Sequence, residues 1–281
     1  MASRPLAQSY LSCKDEWMND TYTHGHEDSV LRSHRWRTAV NSAAYLLPRL
    51  HPGMSMLDVG CGPGTITADF AQLLAPGRVI GIDFAPSVVD EANAQPDLPE
   101  NCTFATGDVY HLDFADDTFD VVHAHQVLQH LTNPVGALSE MRRVLRPGGI
   151  VAVRDCDYQG FFWAPHEPEL DRWMVLHHAV AAHNGAEPDA GRHLPRWVRE
   201  SGLTELQISG DLWTFSDEAS RTWWGGSWAD RVLNSTFATQ ALAYGLSTRS
   251  ELESISAAWR RWLNDESATF GVPNIEVIST K

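Results

Sequence analysis

The stretch Leu57-Asp58-Val59-Gly60-Cys61-Gly62-Pro63-Gly64-Thr65 limits how this chain can fold more than any other feature. It closes a short apolar run over 54–59, and a helical pattern resumes over 65–74. Glycines at alternate positions directly after a strand let the backbone pass close to a ligand with no Cβ in the way. The predicted order is therefore strand, loop, helix, with the loop as a ligand cradle. A dinucleotide fingerprint would carry Gly or Ala where Thr65 stands, which disfavours a nicotinamide-dependent oxidoreductase. Asp58, two residues before the first glycine, argues the same way: a carboxylate repels a pyrophosphate and suits a cationic ligand.

The alternation of elements continues along the chain. Strands are predicted over 78–83, 102–105, 119–124 and 149–154, with helices over 86–94 and 134–145. An earlier helix is predicted over 29–50, where Trp36, Val40, Ala43, Ala44 and Leu47 share a face, ended by Pro48 and His51-Pro52-Gly53. Strands separated by helices imply parallel β-α-β units in a doubly wound sheet. Beyond Asp155 the texture changes, because most of the eleven tryptophans lie there. Helices are predicted over 167–184, 190–201, 216–244 and 248–264, with strands over 203–215 and 273–279 that complete the sheet as an antiparallel pair. The expected fold class is α/β, a Rossmann-like, doubly wound, mostly parallel seven-stranded sheet with a helical lid. Its expected parts are an N-terminal lid segment over 1–34, a ligand-binding core over 35–155 and a helical cap over 156–281 carrying the last strands.

Charge narrows the partners. The 281 residues contain 21 Lys and Arg against 36 Asp and Glu, a formal charge of -15. That balance repels nucleic-acid backbones and anionic membrane surfaces, so neither is an expected partner, although the patch Arg32, Arg35 and Arg37 could hold a small anionic group. No run of about 18 apolar residues could span a bilayer, and no signal-peptide core opens the chain, so a cytoplasmic location is expected. Homo-oligomerisation is compatible with these features. Cys13, Cys61, Cys102 and Cys156 lie far apart with no C-x-x-C pair, which points to reduced thiols. The pairs His24/His26, His123/His125 and His177/His178 lack further ligands at a zinc spacing, so no metal is expected.

Further acids support the ligand reading. Asp83 ends the second predicted strand, where a carboxylate accepts two hydrogen bonds from a ribose diol. Phe84 follows, where an aromatic ring can cover an adenine face. Gly107-Asp108-Val109 follows the third strand, and Asp108 can accept from an adenine amine. In this order the residues resemble the class I S-adenosylmethionine-dependent methyltransferases. The tract from Gly107 through Asp120-Val-Val, followed by Met141-Arg-Arg-Val-Leu-Arg-Pro-Gly-Gly149, resembles the quinone-biosynthesis type within that superfamily. The likeness runs over roughly 35–155 and implies S-adenosylmethionine as cofactor. It further implies that Asp58, Gly60, Gly62 and Gly64 line the methionine end, that Asp83 takes the ribose and that Phe84 and Val109 flank adenine. Gly107 and Asp108 would complete the adenine site, with Asp108 reading the amine. His125 and Gln126 would touch the cofactor and face the acceptor. The segment holding Tyr22 and His26 falls where such enzymes carry a lid.

Methyl transfer from a sulfonium is an in-line displacement that needs positioning and a dry pocket, not a covalent nucleophile. A base is required only when the acceptor must lose a proton, and histidine suits that task near neutral pH. His123, His125, His130 and His166 lie near the carboxyl ends of the predicted strands, and His125 is the preferred base. Asp155 and Tyr158, just past the fifth strand, are the second catalytic candidates. His130 and Trp163 join Tyr22 and His26 as substrate or lid candidates. Phe161, Phe162, Trp163, Trp173, Trp213, Trp223, Trp224 and Trp228 could wall a pocket for an apolar or aromatic acceptor, with helix packing the alternative for each. The expected function is methylation of a small natural-product or quinone-like metabolite, on carbon, oxygen or nitrogen. A protein that binds the cofactor without methylating is the alternative.

Overall fold

The computed structural model describes Asp20 and residues 35–281, so Tyr22 and His26 lie outside the described residues. Four parallel pairings build the centre of the sheet. Strand β1 (Met56–Val59) is buried at every position, as a strand covered on both faces must be. It pairs with β2 (Val79–Asp83) on one side and β4 (Phe119–His125) on the other. Strand β3 (Cys102–Thr106) flanks β2, and β5 (Leu145–Cys156) flanks β4.

The sheet is then finished by antiparallel partners. Strand β8 (Thr269–Thr280) pairs with β5, with β7 (Leu206–Phe215) and with the three-residue β6 (Phe162–Ala164). The order is β3-β2-β1-β4-β5-β8, with β7 on the far side of β8. The sheet thus has eight strands where seven were expected. The addition is β6, a run too short to show a periodic pattern, which meets β8 at 269–271, ahead of the residues paired with β5. The antiparallel pairing of β7 with β8 matches expectation.

Side-chain alternation along the strands divides the core. On one face Leu57, Val59, Val122, Val151 and Val153 pack with helices α4 (Pro134–Val144) and α6 (Ala190–Glu200) through Leu138, Met141, Leu194 and Val198. On the other, Met56, Val121 and Ala152 meet α2 (Thr65–Leu74) through Ile66, Phe70 and Leu74, and α3 (Pro86–Asn93) through Val89. A third cluster is helical. Trp173 of α5 (Pro168–His183), Trp228 of α7 (Glu218–Asn234), and Trp259 and Trp262 of α9 (Arg249–Leu263) gather around Phe270.

Two expected helices are divided. Within 29–50 the described residues hold a helical Arg35 and, after a break at 36–38, α1 (Ala39–Ser42) and a 3-10 turn (Leu47–Arg49). Thr38 closes a capping box with Asn41, and Val40 on the expected apolar stripe is 73% exposed. Trp36 packs edge-on against Trp213 at 5.3 Å, so a tertiary contact overrides the helical spacing. The segment over 216–244 breaks at Ser235, which is extended, giving α7 and then α8 (Thr236–Ala243).

The strand order reverses at β1, whose neighbours are β2 and β4. Loops leaving the carboxyl ends of adjacent strands there diverge to opposite faces and open a crevice. Trp259 is fully buried within 6.1 Å of the rings of Trp173, Trp228, Trp262 and Phe270. Trp259→Ala is expected to cost about 3–5 kcal/mol of stability, read from denaturant unfolding followed by far-UV circular dichroism.

Candidate active site

A cavity of about 370 Å³ lies at this crevice. The loops after β1, β2 and β3 line one side of it. At Gly60 the backbone is left-handed, with φ of 64°, and a Cβ there would lie 2.4 Å from Cγ2 of Val127. The loop can therefore close on the segment after β4 only as glycine. Gly62 donates its N–H to Asp83 Oδ2 at 3.0 Å, while Asp83 Oδ1 accepts from Ala85 N at 3.0 Å, so the second strand's acid ties the glycine loop to its own turn. Phe84 lies at the cavity edge, 72% exposed. Gly107, Asp108 and Val109 complete this side, with Asp108 Oδ1 accepting from Tyr110 N at 2.9 Å. Asp58 lines it too, its carboxylate held by His123 and Thr67.

Gly64 departs from expectation, since it does not line the cavity. It is the left-handed N-cap of α2, and a Cβ there would lie 2.4 Å from Cζ of Phe104. Its absent side chain serves the packing of helix on strand.

Residues from β4, β5, β7 and α7 line the other side. His125 closes β4, its ring centroid 5.9 Å from that of Trp213. Gln126 follows with φ of 53°, unusual for a side chain other than glycine, and its amide N donates to Arg154 O at 2.6 Å. Its Oε1 accepts from Arg37 Nη2 at 2.6 Å and its Nε2 donates to Asn274 Oδ1 at 3.2 Å. Tyr158 stacks between Phe161 at 4.3 Å and His177 at 4.1 Å. Trp213, Trp223, Trp224 and Trp228 form the remaining aromatic wall. Trp213 is fixed by its Nε1–H to Asn41 O at 2.9 Å and by the Arg154 guanidinium 4.9 Å from its ring.

Two candidates stand elsewhere. Trp163 stacks on Phe270 at 5.7 Å, outside the cavity, while Phe161 takes a place on the wall. Asp155 is fully buried and does not line the cavity, because β5 turns its neighbour Cys156 inward and alternation sends Asp155 to the opposite face. Its Oδ1 accepts from Gln129 N at 3.2 Å and so anchors the 3-10 turn Leu128–His130. His130 does line the cavity, and burial, aided by the Arg37 charge, pushes its pKa down to about 3, leaving a neutral ring at physiological pH. His166 pairs with Asp171 on the surface. Of the basic patch, Arg35 pairs with Glu91, Arg37 reaches the cavity, and Arg32 lies outside the described residues.

The sequence reading overlooked Asp20, Trp36, Gln129 and Arg231, all of which line the cavity. Asp20 accepts from Tyr110 OH at 2.7 Å and from Thr132 N at 3.0 Å, contacts across some ninety residues or more that no local pattern announces. Arg231 was detectable in principle, since it follows Trp224 and Trp228 along one face of α7. Among the described residues, no cluster of three or more His, Cys, Asp or Glu could hold a metal, and no helix is long and apolar enough to cross a membrane.

Burial raises the Asp155 carboxyl to about 8, against the opposing pull of the Gln129 and Leu128 backbone N–H groups and of Arg37. The folded protein therefore holds this proton more tightly than the unfolded chain. The stabilisation is full below pH 4 and is lost as pH rises towards 8, at no more than about 1.4 kcal/mol per pH unit. Asp155→Asn keeps an oxygen acceptor and removes the titration. Its stability relative to the parent is expected to improve steadily from pH 4 to pH 8, as followed by urea unfolding across that range.

A family model described as a methyltransferase domain matches residues 50–202. The chain is 33% identical over 270 residues, 92% of its length and 96% of the relative's, to an uncharacterized methyltransferase of Schizosaccharomyces pombe. It is 30% identical over 280 residues, 93% and 98% of the two lengths, to the protein named probable methyltransferase ltbC of Aspergillus luteorubrus. In fold it resembles a Haemonchus contortus phosphoethanolamine N-methyltransferase solved with S-adenosylhomocysteine. The TM-score is 0.52 at 15% identity, over 85% of this chain and 52% of that one. The glycine loop, the acid that ends the second strand and these likenesses converge, and the chain belongs to the methyltransferase-domain family, the class I S-adenosylmethionine-dependent methyltransferases, with S-adenosylmethionine as its cofactor.

Proposed function

We propose that this methyltransferase acts on a small apolar or aromatic metabolite, natural-product or quinone-like in character, by direct in-line transfer. One observation carries the reading: a single cavity joins the glycine and aspartate side to a side walled by Tyr158, Phe161 and five tryptophans. Cavities of this size and lining take small, mostly apolar ligands. The formal charge of -15 favours such an acceptor over nucleic acid.

The cofactor supplies a methyl group on a positively charged sulfur, an electrophile that needs no further activation. The chain's residues bind and orient. Gly60 and Gly62 admit the methionine end closely, and Asp58 offers it a carboxylate. Asp83 accepts from the ribose hydroxyls, Phe84 and Val109 enclose adenine, and Asp108 takes its amine. Aromatic faces beside a sulfonium favour the cation and exclude water. Holding two reactants in line can contribute effective molarities of about 10⁵ M.

His125 is the proton acceptor for a hydroxyl or carbon acid in this reading. It sits at the end of β4 beside Trp213, next to Gln126, whose strained backbone and triple hydrogen bonding fix the turn. Tyr158 orients the acceptor from the opposite wall. Asp155 acts only through the turn it anchors.

Calorimetry with S-adenosylhomocysteine and mass-spectrometric assay of phenolic, quinone-like and indolic acceptors test the division of roles. Asp83→Ala is expected to weaken S-adenosylhomocysteine by about a hundredfold, the value of two charge-assisted hydrogen bonds. His125→Ala is expected to leave that affinity within about twofold and to lower turnover about a hundredfold. Equal loss of binding in both would refute the assignment.

A further inference from the structure

Asp58 lines the cavity, yet the residue is only 3% exposed and both of its carboxylate oxygens are already engaged. Oδ1 lies 2.7 Å from His123 Nδ1, and Oδ2 accepts from Thr67 Oγ1 at 2.5 Å. The two donors arrive from different elements. His123 stands directly opposite Asp58 in the parallel pairing of β1 with β4. Thr67 lies in the first turn of α2, and Phe70 of the same helix packs edge-on against the His123 ring at 5.0 Å. The imidazole is thus held between the acid and a phenyl ring, fully buried, and it does not line the cavity.

A buried carboxylate with no fixed donors would lose much of its solvation and could rotate away from a ligand. Two donors from rigid elements prevent both. They use half of the four lone-pair directions of the carboxylate, and the rest remain for a cation in the cavity that Asp58 lines. Orientation fixed before binding lowers the cost of association.

We infer that His123 and Thr67 are positioning residues that hold Asp58 as the receptor for the α-ammonium group at the methionine end of the cofactor. The inference rests on the reading of Asp58 given above. Neither residue touches the cofactor. Both act through the aspartate, so their effect is confined to ligands that carry the amino-acid end.

The test compares S-adenosylhomocysteine with 5′-methylthioadenosine, which keeps adenine, ribose and sulfur and lacks the amino acid. Calorimetric affinities for both are measured for the parent and for Asp58→Asn, Thr67→Val, Thr67→Ser, His123→Phe and His123→Asn. Thr67→Val and His123→Phe are expected to weaken S-adenosylhomocysteine about tenfold, the value of one hydrogen bond to a charged group, and to leave 5′-methylthioadenosine within about twofold. Thr67→Ser and His123→Asn, which restore a donor, are expected to recover most of the loss. The near-isosteric Thr67→Val keeps the test decisive if His123→Phe fails to fold. Parallel weakening of both ligands would mean general damage to the loop and would overturn the inference, as would undiminished S-adenosylhomocysteine affinity in the two deletions. If Asp58→Asn weakens S-adenosylhomocysteine while Thr67→Val and His123→Phe do not, only the positioning inference falls. If Asp58→Asn also changes nothing, the ammonium reading of Asp58 falls with it.

Discussion

The placement of β1 between β2 and β4 is the constraint on which the rest of the structure depends. Parallel neighbours on both sides oblige the chain to leave β1 and β4 toward opposite faces, and the crevice between those exits is the cavity. Gly60 is where the two exits come closest, against Val127, and a side chain at that point would push them apart. The same pairing sets Asp58 opposite His123, so the register that closes the sheet also orients the acid at the mouth of the glycine loop.

Charge and polarisability are distributed unevenly around that crevice. Asp20, Asp58, Asp83 and Asp108 gather on the side formed by the first three strands, while Arg37, Arg231 and the indole rings lie on the other. The acidic side suits a cationic group and the aromatic side an apolar one. The aromatic side is rigid because its rings are shared with the helical core. Trp228 touches both the cavity and Trp173, and Trp213 is clamped by Asn41 and Arg154. The aromatic wall of the cavity is thus also the outer layer of the helical tryptophan cluster.

Where the sequence reading erred, long-range contacts displaced local pattern. The expected stripe of Trp36 and Val40 was helical in spacing, but docking of Trp36 on Trp213 and Trp223 turns the chain, and Val40 faces solvent. Asp155 sits at the strand end where an acceptor-facing residue was sought, and the alternation of β5 gives that place to Cys156. Trp163, expected on the cavity wall, packs on Phe270 instead, while Phe161 keeps its expected place there. Gly64 belongs to the glycine motif, yet its neighbour is the ring of Phe104, three strands into the fold.

The sequence by itself determined the order of seven of the eight strands and of the helices between the parallel ones, the glycine cradle, the acids at the ends of the second and third strands, and through them the family. These are local properties: periodicity, turn chemistry and residue type at a strand end depend on neighbours within a few positions. Only the tertiary structure decided which side chains share the cavity. Asp20 meets Tyr110, Arg37 meets Gln126 and Arg154 meets Trp213 across 59 to 90 residues of sequence. Partners so distant are chosen by strand register and helix packing, which act on the whole chain at once and leave no mark in any short stretch of it.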